Sequence, residues 1–198
     1  MDLRDRWPLS GRSSLRDRLL AAYGEAHRGY HDLTHLAEVL DHVATLAAEA
    51  DDVVAVELAA WFHDAVYDGG GEEEERSARL ATEELTAAGV APDLVTEVAR
   101  LVRLTASHRP EPGDRNGQVL SDADLAVLAA DQGRYADYVA GIRREYAHVA
   151  DDDFRRGRVA VLNALLAKPS LFHTAHAHAR WEARARANVT RELFGLDG

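Results

Sequence analysis

The sequence contains no cysteine, which removes disulfides, thiolate metal sites and cysteine nucleophiles from its chemistry. It has no run near the roughly 20 apolar residues that a membrane-crossing helix needs. Its first residues, Met1-Asp-Leu-Arg-Asp-Arg-Trp-Pro-Leu-Ser, lack the apolar stretch of a secretory signal, so a cytoplasmic location is expected. Proline is scarce, 5 in 198 residues, while alanine is abundant; both favour helix over sheet. Lysine is almost missing, with Lys168 the single example. Arginine carries the cationic charge, and its planar fork suits bidentate phosphate contacts, although a genomic bias would produce the same composition. Positive charge is in deficit overall. The formal net charge of −11 works against binding nucleic-acid polymers or anionic membranes, while a small anionic substrate in a locally positive pocket stays compatible with it.

What is present reads as a globular chain. Hydrophobic residues make up 46% and charged residues 29%, and a chain of this length buries a sizeable core in one domain. Helical periodicity runs through most of it between short breakers. A first helix is expected from after Ser13–Ser14 to about Glu25. A second is capped by Thr34, with Leu36, Val39, Leu40, Val43 and Leu46 on its apolar side. A third, capped by Asp51 or Asp52, runs through Phe62 to Val66, is apolar nearly all round, and is therefore placed at the centre of the fold. The Glu72–Glu75 run opens a fourth helix, where acidic side chains complement the dipole. Gly89 stops it, and Pro92 starts a fifth that reaches Ser107 or His108. Arg109–Gly117 reads as a loop, with two prolines and two glycines, and a sixth helix is expected near Asp122–Ala130. Three more are expected at about 134–149, 153–168 and 175–194. No segment has the period of a strand. The expectation is an all-α bundle of about eight to nine helices in one domain over 1–198, with a metal-binding core at about 27–130 and a C-terminal helical part at about 131–198.

The chemistry concentrates in histidines and aspartates. His63 and Asp64 stand together in the apolar string Ala-Ala-Trp-Phe-His-Asp-Ala-Val-Tyr. Burying that pair without partners would cost several kcal/mol. A divalent cation removes the penalty by accepting lone pairs from imidazole and carboxylate. His35 and Asp124 are the candidate remaining ligands; two neutral histidines and two carboxylates balance a 2+ ion and leave positions for water and substrate. Mixed nitrogen and oxygen donors suit one divalent ion of manganese, nickel, cobalt, iron or zinc.

The ordered set His35, His63-Asp64, Asp124 resembles the H…HD…D signature of the HD superfamily of metal-dependent phosphohydrolases. Arg28-Gly-Tyr-His-Asp-Leu-Thr-His35, Trp61-Phe-His-Asp-Ala-Val-Tyr-Asp68, Thr105-Ala-Ser-His108, Ile142-Arg-Arg-Glu-Tyr146, Phe154-Arg-Arg-Gly-Arg158 and Ala185-Arg-Ala-Asn188 resemble one branch of small bacterial members. The likeness runs over almost the whole chain. It implies an all-α domain whose histidines and aspartates converge on one metal, and hydrolysis of a phosphate ester of a small molecule, possibly a nucleotide. Superfamily members with two metals carry a histidine shortly after the pair; here that region reads Glu72-Glu-Glu-Glu-Arg-Ser-Ala, which points to a single metal. The superfamily pattern also favours Asp124 over Asp122 as ligand, with Asp122 orienting the site.

In this reading a metal-activated water attacks phosphorus. Asp68 and Glu74 are candidates to take its proton, and His31 and His108 to protonate the leaving oxygen or bind phosphate. Arg28 and Arg109 are candidates to neutralise phosphate charge. Trp61, Phe62 and Tyr67 read as core. Two other functions share the same site: a regulatory module that binds a ligand without turnover, and a di-iron oxygenase, which needs more histidine ligands than the chain offers. The apolar outer helices could also pair two copies as a homodimer.

Overall fold

The computed structural model describes residues 2–196. Among these, nine α-helices and three short 3-10 turns form the fold, and there is no strand. The helices are α1 (Ser13–Tyr23), α2 (Leu33–Leu46), α3 (Val53–Phe62), α4 (Glu73–Ala87), α5 (Pro92–Leu104), α6 (Arg115–Leu125), α7 (Gln132–Glu145), α8 (Asp151–Leu166) and α9 (Ala175–Leu196). No described helix is long and apolar enough to cross a membrane.

Helix α3 occupies the centre. Ala55, Val56 and the whole run Leu58–Phe62 are sealed from solvent, and α2, α5 and α6 pack around it while α4 and α5 form an antiparallel pair. Trp61 meets Trp7 edge-on at 5.1 Å, pinning the N-terminal segment to this core. Helix α9 lies along the 3-10 turn Ala126–Ala129 and against α8.

Helices α5 and α7 end earlier than the sequence reading expects, at Leu104 and Glu145, and three boundaries nearer the site differ from it, each for a local reason. Helix α2 is capped by Asp32, whose carboxylate accepts from the backbone N–H of Thr34 and His35 at 2.8 and 3.2 Å, rather than by Thr34. Helix α3 ends at Phe62, so the His-Asp pair stands at its C-terminal end and not within it. Beyond that point the backbone donors go elsewhere: Asp64 N–H donates to the Tyr23 hydroxyl at 3.2 Å and Val66 N–H to Ser77 Oγ at 3.0 Å. The guanidinium of Arg28 donates to the carbonyls of Asp64 and Ala65 at 2.8 and 3.3 Å, a cation at the negative end of the helix. Helix α6 begins at Arg115, inside the stretch read as a loop. Asp114 caps it through Gly117 N–H at 2.9 Å, and the glycine leaves room there for the side chains of Asp114 and Leu104. Asp122 and Asp124 consequently occupy the last turn of α6 rather than its start.

Candidate metal centre

The ends of three helices converge on one buried point. His35 projects from the first turn of α2, His63 and Asp64 from the end of α3, and Asp124 from the end of α6. His35 Nε2 lies 3.1 Å from His63 Nε2. Asp64 Oδ2 lies 2.9 Å from His63 Nε2 and 3.4 Å from His35 Nε2. Asp124 Oδ1 lies 3.2 Å from His35 Nε2 and 3.6 Å from His63 Nε2.

The donor chemistry fits a divalent cation. One ligand atom each from His35, His63 and Asp64 falls within 4.8 Å of the others, and Asp124 adds a second carboxylate. His35 Nε2 and His63 Nε2 face each other at 3.1 Å, so both rings turn the same nitrogen to the convergence point. Asp64 Oδ2 is buried without any hydrogen bond of acceptable geometry despite its near neighbours. An unsatisfied buried carboxylate oxygen is costly, and a cation at the convergence point would satisfy it. His63 Nδ1 donates to the Ala60 carbonyl at 2.8 Å, which turns Nε2 toward the cluster, the outer-shell arrangement that orients a metal-binding histidine.

Burial opposes charge on all four groups, and their mutual attraction outweighs it. Asp64 and Asp124 are both held well below the usual carboxylate range by the neighbouring histidines. His35 and His63 are held above the usual imidazole value by the two carboxylates. Both carboxylates are therefore ionised as ligands require, while a bound cation would have to displace the protons that these carboxylates favour on the two imidazoles.

Beside the cluster opens a cavity of about 580 Å³ whose wall includes Asp64, Asp124, His31, His108 and Glu74. His108 Nε2 stands 3.6 Å from Asp124 Oδ2, and burial pulls its pKa below the usual imidazole value. It sits in the left-handed region at φ 48, a conformation few non-glycine residues adopt. Tyr67, read from the sequence as core, also lines this cavity, while Trp61 and Phe62 are fully buried as expected.

Other candidates are placed elsewhere. Asp68 is half-exposed and paired with Arg76 at 2.7 Å; it is not part of the cavity wall. Arg28 is buried among the carbonyls it holds and Glu25, so it braces the His-Asp turn. Arg109 is exposed and away from the wall. Asp122 points away from the cluster, since side chains two apart on a helix lie on opposite sides. It is fully buried and accepts from the backbone N–H of His173 and Thr174 at 2.9 and 2.7 Å, and burial pushes its carboxyl up to about 6. It anchors the approach to α9.

One residue with a clear place in the site had no assigned role in the sequence reading. Glu145, at the end of α7, accepts through Oε1 from the backbone N–H of Gly29, Tyr30 and His31 at 2.8–2.9 Å. Its Oε2 accepts from His31 Nδ1 at 2.9 Å and from the Tyr67 hydroxyl at 3.0 Å. Five donors on a buried carboxylate hold it down at about 2 despite burial. With Nδ1 of His31 engaged, Nε2 is the atom of that ring able to accept or give a proton. Gly29 and Gly141 make this contact possible: a Cβ on Gly141 would sit 2.7 Å from the Gly29 carbonyl, so only glycine lets the 28–31 segment lie flat on α7. The signal in the sequence was the string Ile142-Arg-Arg-Glu-Tyr146, which gives no hint of its partner 114 residues away.

Comparison of the chain with protein-family models, curated proteins and solved structures finds no match.

Proposed function

We propose that the protein is a metal-dependent phosphohydrolase of the HD type, cleaving a phosphate ester of a small molecule. The observation that carries this reading is the buried convergence of His35, His63, Asp64 and Asp124 around an Asp64 oxygen that lacks any hydrogen bond, opening on a cavity of substrate size. These four residues would hold one divalent transition-metal ion. When bound, such an ion acidifies a water and polarises a phosphoryl oxygen.

The rest of the step belongs to side chains. The water oxygen forms a bond to phosphorus, the bond from phosphorus to the ester oxygen breaks, and that oxygen leaves as an alcohol after gaining a proton. The water gives up one proton and the leaving oxygen takes one. His31, fixed by Glu145, and His108, beside Asp124, are the groups on the wall able to carry those protons. Glu74 is a further carboxylate on the same wall. The Asp68 and Arg109 roles anticipated from the sequence are not part of the proposal, because neither lines the cavity.

The test is phosphate release by metal-stripped protein re-supplied with each of the five divalent ions, across nucleotides and simple phosphate esters, beside Asp64→Ala. Release is expected to need a metal and to fall by at least 10²-fold in the variant. Metal uptake without release from any ester would overturn the hydrolase reading and favour a ligand-binding module.

A further inference from the structure

The cavity has two unlike ends, and its charge restricts what can occupy it. Condensed phosphates carry several negative charges, which proteins meet with arginine forks and lysines. No arginine or lysine on the wall of this cavity is free for that role. Arg158, the arginine on its wall, holds Glu192 at 2.7 and 3.1 Å and the Tyr138 hydroxyl at 2.9 Å. Arg28 is bound to backbone carbonyls and Glu25. Lys168 donates to the carbonyls of Ser107 and His108 at 3.2 and 3.0 Å. The other charged lining residues are acidic: Glu73 and Glu74 with Asp64 and Asp124, and Asp153 in the first turn of α8. One phosphate can lie at the cation that Asp64 and Asp124 would hold, beside His31 and His108, but no arginine or lysine on the wall is free to meet a second or third.

The α8 side is mostly apolar. Val127, Leu128, Ile142, Phe154, Val161 and Leu165 face the same space. Helix α8 is sparsely packed: Arg158 and Leu162 are its buried residues, and Val161 is 52% exposed while lining the cavity. Gly157 also lines it, and a Cβ added there would meet nothing within 4 Å. A helix interior normally disfavours glycine by about 1 kcal/mol relative to alanine, and here no backbone contact demands it. The missing side chain widens the apolar end.

We propose, building on the phosphohydrolase reading, that the substrate is a phosphomonoester of an uncharged apolar alcohol. Its phosphate lies at the Asp64–Asp124 end and its body lies along α8 beside Gly157 and Val161, and condensed phosphates are excluded. Hydrolysis consumes one water and releases the alcohol and inorganic phosphate.

The experiment measures binding with non-hydrolysable probes, so it does not depend on turnover. Manganese-loaded protein is titrated calorimetrically with methylphosphonate, octylphosphonate and methylenediphosphonate, in wild type, Gly157→Leu and Val161→Glu. Both positions are exposed on a helix, and melting curves check that both variants fold. Octylphosphonate is expected to bind at least tenfold more tightly than methylphosphonate, since apolar surface is buried, and methylenediphosphonate more weakly than either. Both variants should abolish the chain-length gain and leave methylphosphonate affinity within twofold. Tightest binding by the diphosphonate, no dependence on chain length, equal weakening of both monophosphonates in the variants, or no binding at all would each overturn the proposal. Chain-length-dependent binding in a protein that hydrolyses no ester would instead sink the hydrolase reading and leave this ligand class standing.

Discussion

The part of the molecule built from α2, α3, α5 and α6 differs sharply from the part built from α7 and α8. In the first, burial is dense: α3 leaves Val53, Val54 and Glu57 outside the buried set and seals the other seven residues, and α6 buries six of its eleven. In the second, α8 buries two residues of sixteen. All four candidate metal ligands come from the first part, at the ends of tightly packed helices. The apolar wall of the cavity comes largely from the second, and so does Glu145, which reaches back to hold His31. A metal centre needs ligand atoms fixed to fractions of an ångström, which dense packing supplies. A cavity for a variable organic body needs the reverse, a helix held loosely enough to leave space. The contrast suggests that chemistry and selectivity occupy different stretches of one chain and meet at His31.

That division can be broken most forcefully at Glu145. Replacing it with alanine strands three backbone donors, His31 and Tyr67 around a buried void, and a loss of about 3–5 kcal/mol is expected by urea denaturation. Glu145→Gln keeps the volume and isolates the charge. Since the folded state holds Glu145 at about 2 against an ordinary 4.5, its contribution is fully present above pH 4.5 and disappears as pH falls toward 2. The advantage of wild type over Glu145→Gln should thus be about 3 kcal/mol near neutrality and shrink across that window. Both variants should still bind metal stoichiometrically while releasing phosphate at least tenfold more slowly. Metal loss in Glu145→Gln would show that the two regions are not separable.

A smaller effect is expected at the seam between them. Gly141→Ala places a methyl 2.7 Å from the Gly29 carbonyl and 2.9 Å from Tyr30 Cβ, forcing the 28–31 segment off α7 at about 1–3 kcal/mol. Proton magnetic resonance should then show the bonded His31 Nδ1 proton exchanging faster; unchanged exchange would mean that the segment absorbs the methyl. The smallest effect belongs to Asp68→Ala. This breaks an exposed ion pair with Arg76, of the solvent-screened kind that adds little to stability. Metal-dependent phosphate release should stay within twofold, and a larger loss would return Asp68 to the chemistry.

Much of the dense region was legible in the sequence, and little of the seam. The five apolar positions anticipated on α2 are all buried, with His35 beside them. His63-Asp64 stood out because a charged pair in an apolar run needs a partner. The α6 boundary was misread because Pro110, Pro112, Gly113 and Gly117 suggest a loop, whereas Asp114 caps a helix that accommodates Gly117 in its first turn. Placing Asp122 at a helix start hid the fact that it and Asp124 point in opposite directions from one turn, one to the cluster and one to the backbone before α9. Glu145 was beyond reach of any local pattern: its pairing depends on two glycines meeting across the fold, Gly29 in the turn before α2 and Gly141 inside α7.

The separations also set an order of assembly. His35 and His63 are 28 residues apart, and Glu145 and His31 are 114 apart. By chain-closure entropy alone the longer loop is harder to shut by about 1 kcal/mol, and contacts distant along the chain are those that slow folding. The cluster at the heart of α2 and α3 can form while the last third of the chain is still unfolded; the carboxylate that fixes His31 docks afterwards. In refolding, burial of Trp61 should precede the tyrosine signal from Tyr67, and simultaneous changes would mean that both regions form in a single event.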